Sequence, residues 1–263
     1  MNQGQNTIGK VLLNWMALVA MLTVNALANI LPINGYNTGQ VSAMYPNRFV
    51  PAGFTFGIWS VIYILLIGFV VMSSWLRWRQ PGGAADRLAG KLSPYFIGTC
   101  ILNAVWILVW HYLQATLSVL VMLAFLALLI RIYLLLQPYR GSLTPAQSAW
   151  LYIPFVVYLG WISVATIANI TAWLVGMTWG AWGIDQSWWS IVMIAIAATL
   201  GLIFIFKKAD AVYALVIAWA LFGIYKGQQP SYPEVARVAV LLSSVLTTGI
   251  VANALLRLIR PKA

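Results

Sequence analysis

The 263-residue chain holds 15 Lys and Arg against four Asp and Glu, a formal net charge of +11, and is 62% hydrophobic with 7% charged residues. Such a composition is built for lipid, where every retained charge is costly and needs a place. Asp86, Asp185, Asp210 and Glu234 all fall between the long apolar runs, which excludes an ion-coupled pump relaying protons through buried carboxylates.

Eight segments approach the roughly 20 apolar residues that cross a bilayer: 9–33, 53–76, 94–112, 115–136, 147–172, 187–206, 209–226 and 235–257. The predicted fold is therefore an all-α integral membrane protein of about eight transmembrane helices. The first segment begins near Lys10, a charged flank of the kind a signal peptide has, but it is too long for an h-region and no small-residue cleavage site closes it convincingly, so it reads as a span. It carries Asn25 and Asn29, four apart and on one helical face. The second carries Trp59 and Tyr63, also four apart.

Residues 96–136 are nearly uninterrupted, and one helix of that length would be about 60 Å long, twice the hydrocarbon core. A hairpin near His111, Tyr112 and Gln114 resolves this into the third and fourth spans. On the third, Asn103, Trp106 and Trp110 fall at i, i+3 and i+7; on the fifth, Trp161, Ala165 and Asn169 fall at i, i+4 and i+8. The sixth and seventh spans meet in a tight turn at Lys207, Lys208, Ala209 and Asp210. The eighth carries a hydroxyl-rich stripe of Ser243, Ser244, Thr247, Thr248 and Asn253, read as a close helix contact.

Counting Lys and Arg along this eight-span topology puts 12 on one side and three, Arg48, Lys226 and Arg237, on the other. By the positive-inside rule the rich side, with both termini, is cytoplasmic, and a bacterial inner membrane is the expected location. The same asymmetry absorbs the net charge: it is a topology signal and a contact with anionic membrane lipid rather than a nucleic-acid footprint. The single cysteine, Cys100, and the single histidine, His111, leave no disulfide framework and no structural zinc set.

Alternating direction gives the polar residues a depth. Helices one, three and five run outward and helix two enters from outside, so all four sets lie between mid-membrane and the outer surface. Trp and Tyr gather at membrane interfaces for amphipathic reasons alone, and Asn often bonds a neighbouring helix. Four faces at one depth nevertheless form the pattern that a binding cavity leaves in a sequence.

Three stretches also resemble a known family. Pro51-Ala-Gly-Phe-Thr-Phe-Gly-Ile-Trp-Ser-Val-Ile-Tyr63 is similar to the Pro-x-x-Phe-Gly-x-x-Trp-x-x-x-Tyr entry to the second helix of the tryptophan-rich sensory proteins, the translocator protein (peripheral benzodiazepine receptor) family. Leu102-Asn103-Ala-Val-Trp106 resembles its third-helix Leu-Asn-x-x-Trp, and Trp161-Ile-Ser-Val-Ala-Thr-Ile-Ala-Asn169 its fifth-helix Trp-x-Ser-x-Ala-Thr-x-x-Asn. The resemblance covers about residues 9–175. It implies a five-helix ligand-binding bundle over residues 1–175, with 176–263 adding three helices in the manner of a long form.

It further implies an intramembrane pocket for porphyrin or haem, sterol-like lipids and other flat apolar molecules. Trp59, Tyr63, Asn103, Trp106, Trp161, Ala165 and Asn169 would line it, and the Asn-, Gly- and Pro-rich loop from Pro32 to Ala52 would be its lid. Asn25, Asn29 and Trp110 join the candidate set from their faces and depth. One departure is local: the family's Pro-Tyr-x-x-Trp is Pro154-Phe-Val-Val-Tyr-Leu-Gly-Trp161 here, three residues longer.

Between spans five and six, Trp173, Trp179, Trp182, Trp188 and Trp189 crowd a short loop with Asp185. An interfacial belt accounts for them; a second cover over the pocket mouth is the alternative. His111 is a candidate axial ligand for haem iron, although a histidine beside a hairpin commonly bonds carbonyls. No catalytic residue, metal site or required cofactor is read, and no Ser-His-acid set or phosphate-cradling glycine loop is present. Three functions compete: a receptor, sensor or carrier for flat apolar ligands; a transporter of them; and, as the resemblance implies, an enzyme that degrades porphyrin with light and oxygen. A homodimer stays open.

Overall fold

The computed structural model describes residues 3–31 and 33–259, and the regular structure among them is helical. Eight long helices are present: α1 (Gln3–Ile30), α2 (Ile58–Arg79), α3 (Ala84–His111), α4 (Ala115–Leu136), α5 (Ile153–Gly176), α6 (Gln186–Phe206), α7 (Ala211–Gln228) and α8 (Pro233–Ile259). Each is long and apolar enough to cross a membrane. Large apolar side chains such as Leu12, Val61, Ile101, Leu120 and Leu255 are at least half exposed. In water each would forfeit about 1.5–3 kcal/mol of burial; against lipid tails the cost vanishes, and the chain is an all-α integral membrane protein. Pro32 of the expected lid and Arg260 and Lys262 of the charge count lie outside the described residues.

The two expected tight turns are present, each with a non-glycine residue in the left-handed region. Leu113 (φ 57°) follows α3, whose end is closed by the Tyr112 N–H donating to the Leu108 carbonyl at 3.0 Å. Ala209 (φ 56°) lies between α6 and α7, where the Asp210 N–H donates to the Phe204 carbonyl at 2.8 Å.

The third span differs at its start. Its helix begins at Ala84, ten residues before the expected 94, and carries Pro94 inside it. The added turns hold the charged residues Asp86, Arg87 and Lys91, and tertiary pairing accommodates the buried carboxylate. Asp86, 5% exposed, accepts from Arg77 at 3.1 Å and from the Gly82 N–H at 2.7 Å. Pro94 leaves the carbonyl of Gly90 without its usual donor. Pro154 is accommodated differently: a π-helical turn at Ser148–Tyr152 widens the chain just before it.

The chain divides into two compact units, and the division falls inside α5: Met1–Met44 with Trp59–Leu159, and Tyr45–Ile58 with Gly160–Ala263. The loop between α1 and α2 is thus shared between them, its first part with unit one and Tyr45–Ile58 with unit two.

In unit one α1 packs along α3, and α3 along α4. Phe69, Phe96 and Phe155 form an aromatic core, with both Phe96 and Phe155 centroids 4.9 Å from that of Phe69. Two interhelical bonds tie its helices, Trp15 Nε1–H to Ser74 Oγ at 3.1 Å and Ser93 Oγ–H to Asn14 Oδ1 at 2.8 Å.

In unit two α6, α7 and α8 pack on one another. The α8 stripe does make a helix contact: Ser243 Oγ donates to the Ala218 carbonyl of α7 at 2.9 Å, and Asn253 Nδ2 reaches the Ile205 carbonyl of α6 at 3.3 Å. The Tyr45–Ile58 segment is strapped to α7. The Ala52 N–H donates to the Gly223 carbonyl at 2.9 Å, Trp219 Nε1–H to the Thr55 carbonyl at 3.1 Å, and Gln228 Nε2–H to the Val50 carbonyl at 2.7 Å. Glycine permits the approach: a Cβ on Gly227 would lie 2.8 Å from the Ala52 nitrogen, and one on Gly223 would overlap the Thr55 side chain.

Candidate ligand-binding site

In unit one the buried polar side chains of four helices form a single chain of hydrogen bonds. Asn25 of α1 donates to its own helix at the Met21 carbonyl (2.9 Å) and to Asn103 Oδ1 of α3 (2.5 Å). Tyr63 of α2 donates to Asn25 Oδ1 at 2.7 Å, and Asn103 Nδ2 donates to the Tyr158 hydroxyl of α5 at 2.9 Å. Asn25 is 7% exposed and Asn103 1%. Both amides are held in one orientation: reversing Asn25 would turn its oxygen onto the Met21 carbonyl, and reversing Asn103 would set its NH2 against that of Asn25.

Aromatic rings pack beside this chain. Trp59 stacks on Tyr63 at 5.7 Å and meets Tyr158 edge-on at 6.1 Å, while Trp106 stacks on Trp110 at 5.8 Å with the planes 15° apart. Asn29 is exposed and donates to the Asn25 carbonyl at 2.9 Å. Seven expected residues therefore lie in unit one, and Asn25, Tyr63 and Asn103 share the hydrogen-bond chain.

The remaining three belong to unit two. Trp161 and Asn169 are buried, at 3% and 4% exposed, and Ala165 is half-buried. Trp161 meets Phe56 of the 3-10 turn Gly53–Gly57 edge-on at 6.1 Å. Next to it on α5, Ser163 accepts from Tyr213 of α7 at 2.9 Å.

Tyr158 was not among the expected residues, yet it ends the hydrogen-bond chain and is fully buried. A signal for it was present. Counted back from Trp161, the Tyr-x-x-Trp spacing is intact and only the proline is displaced.

His111 is fully buried. Its Nδ1 faces the Ile33 carbonyl at 3.4 Å and its Nε2 the Thr38 hydroxyl at 2.9 Å. A carbonyl can only accept, so the proton belongs on Nδ1, and Nε2 accepts from Thr38. Both ring nitrogens thus serve to hold the loop that follows α1, and an iron ligand at Nε2 would displace Thr38. Among the described residues no three His, Cys, Asp or Glu side chains come together as a metal-binding set.

Among the described residues, none of the ten expected residues lines either of two cavities. One, of about 690 Å³, lies in unit one between α2 and the segment leading into α5; Gly68, Val71, Trp75, Gln147 and Trp150 are among its walls. The other, of about 370 Å³, lies in unit two and includes Arg48, Trp179, Trp182 and Trp189.

At the same end of unit two the charged groups gather. Arg48 pairs with Asp185 at 2.6 Å and donates to Ser187 Oγ at 2.5 Å; Ser187 in turn donates to Glu234 at 2.5 Å, and the Arg48 guanidinium lies 4.3 Å over the Tyr232 ring. The Ser187 backbone N–H at the start of α6, and then Arg48, hold the Asp185 carboxyl below its ordinary range.

A family model described as TSPO-like protein matches residues 11–252. The match runs through α6 and α7 into α8, beyond the residues 9–175 that carry the motifs. No curated protein and no solved structure matches the chain.

Proposed function

The chain belongs to the TSPO-like protein family, and from that membership we propose that it is a membrane receptor or carrier for flat, apolar, porphyrin-like ligands, bound through the neutral polar and aromatic cluster of unit one. The observation that supports this is the Asn25, Tyr63, Asn103 and Tyr158 chain with Trp59 and Trp106 beside it. Its members satisfy one another without a formal charge, and the capacity left over includes two donors, the Tyr158 hydroxyl proton and the second N–H of Asn103. A ligand with an apolar face and acceptors on its rim suits both features. Sterol-like lipid meets the apolar half of that description and only part of the polar half.

The test is a protoporphyrin titration in one detergent, read by tryptophan quenching, with folding checked by circular dichroism. Aromatic contacts contribute about 0.5–1.5 kcal/mol beyond burial, so Trp59→Ala should weaken binding roughly tenfold, ~1.4 kcal/mol. Trp78→Ala removes a ring that is 76% exposed and packed on Arg79, and it should leave affinity unchanged. Equal affinities in parent and both variants would reduce the cluster to internal packing. Flux of ligand across proteoliposomes would extend the reading to transport, and a changed ligand absorption spectrum after illumination in oxygen would extend it to catalysis.

We also place both termini in the cytoplasm of a bacterial inner membrane, on the split of Lys and Arg between the two sides. Reporter fusions near Gly82 and after residue 262 should both report cytoplasm, and one near Gly180 the opposite side. Opposite locations for Gly82 and the C-terminus would overturn the assignment.

A further inference from the structure

The 370 Å³ cavity of unit two is close to the lower end of small-molecule pockets, which span roughly 300–1,000 Å³. Its wall is uncommon in two respects. Trp179, Trp182 and Trp189 touch one another pairwise, with centroids 5.2–5.5 Å apart and planes 56–81° apart. The backbone that presents them is held in the left-handed region at Thr178, Ala181 and Trp182, all at φ 52°. A bulky residue such as Trp pays for that conformation, and strain of this kind concentrates at ligand sites. Trp182 is also 78% exposed, so the strain is spent on displaying a ring rather than burying one. Trp189 is fixed by its Nε1–H donating to the Ala181 carbonyl at 3.0 Å.

The chemistry of the lining narrows the occupant. Rings this close leave no room for an ammonium group between them, which excludes a cation cage. An anion is not favoured either, because Asp185 and Glu234 stand against the single charge of Arg48. What remains polar is neutral: the side chains of Gln186 and Ser190 line the cavity and make no hydrogen bond to the described residues. Gln186 can both donate and accept, as can Ser190.

We propose that this cavity is a second ligand site, for an uncharged planar aromatic molecule of two or three fused rings with a hydrogen-bonding edge. The tryptophan wall takes the ring system, and Gln186 with Ser190 takes the edge. The site stands apart from the reading of unit one and does not depend on it.

Equilibrium dialysis of the full chain in lipid nanodiscs, against empty nanodiscs of the same lipid, measures it with two probes. They are 2-quinolone, whose lactam edge donates and accepts, and naphthalene, which has no such edge. Binding of 2-quinolone should be saturable and about tenfold tighter than that of naphthalene. Trp182→Ala should weaken both probes about fivefold or more, and its exposure makes it a mild change for the fold. Gln186→Leu should bring 2-quinolone down to the naphthalene level. Trp78→Ala, in unit one and outside both sites, should change neither. Uptake equal to that of empty nanodiscs would overturn the proposal in favour of a cavity filled by lipid acyl chain. Saturable binding indifferent to Trp182→Ala and Gln186→Leu, or naphthalene binding as tightly as 2-quinolone, would overturn it as well.

Discussion

The two units show two ways of handling polarity. In unit one, two amides and two phenols pass hydrogen bonds from helix to helix, and its ion pair, Arg77 with Asp86, stands beside the short turn between α2 and α3. Unit two places formal charges at the ends of its helices, where Arg48, Asp185 and Glu234 gather around Ser187. The contrast follows from solvation. A neutral amide in hydrocarbon needs only its partners, whereas an ion there carries a desolvation penalty that geometry alone seldom repays. Asp185, 57% exposed at the side chain, avoids that penalty, and at such a site solvent screening leaves an ion pair little to contribute. Neutral networks should therefore dominate stability, and charged ones should tune it with pH.

The largest effect is expected from breaking the neutral side. Asn103→Leu takes the interhelical acceptor from Asn25, which keeps Met21 and Tyr63, and the donor from the Tyr158 hydroxyl, at about 1–3 kcal/mol for a buried group left unsatisfied. Interhelical bonds in membranes average nearer 0.6 kcal/mol because partners are found elsewhere. The expected loss is thus ~1–3 kcal/mol in total, read as a lower unfolding temperature in detergent. A parent-like Asn103→Leu protein would show that the four side chains do not act as one unit.

A second, comparable loss should come from unit two through its backbone. Gly227→Ala sets a methyl 2.8 Å from the Ala52 nitrogen and forces loop and helix apart, at about 1–3 kcal/mol for overpacking. Gly249→Ala, whose nearest contact is 3.4 Å away, is the matched control and should be close to neutral. Equal unfolding temperatures for the two variants would remove the close approach as a source of stability.

The smallest effect is the charged one, and it has a sign. Because the Asp185 carboxyl is held below its ordinary range, its contribution is fully present above the usual carboxylate pKa and is lost as pH falls through the lowered one. Unfolding temperature against pH should separate parent from Asp185→Asn at neutral pH, the parent being the more stable, and the curves should converge in acid. Parallel curves would mean that Arg48 and Ser187 do not hold the carboxylate.

All eight spans were legible because charge-free runs of this length have few other uses. The start of α3 was not, since the pairing of Asp86 with Arg77 is a tertiary event that no local pattern announces. Asn25, Tyr63 and Asn103 were legible from face and depth, and they do meet. Tyr158 was hidden only by counting from Pro154 instead of from Trp161. The tryptophan-walled cavity was legible in its residues but not in its shape, which depends on left-handed backbone at Ala181 and Trp182. The strap on α7 was least legible of all: its key bond runs from the Ala52 N–H to the Gly223 carbonyl, and backbone groups carry no sequence.

That strap bears on how the protein is made. Thr55 and Trp219 are separated by 164 residues, and Val50 and Gln228 by 178. At a synthesis rate of about 5–20 residues per second, the Val50–Ala52 backbone leaves the ribosome ~10–30 s before the helix that will satisfy it. Until α7 is inserted, those carbonyls and that N–H must be hydrated or held by something else. A ribosome that stalls or a message that ends before α7 therefore yields a chain whose early loop is orphaned, however well its first five helices have already been threaded into the membrane.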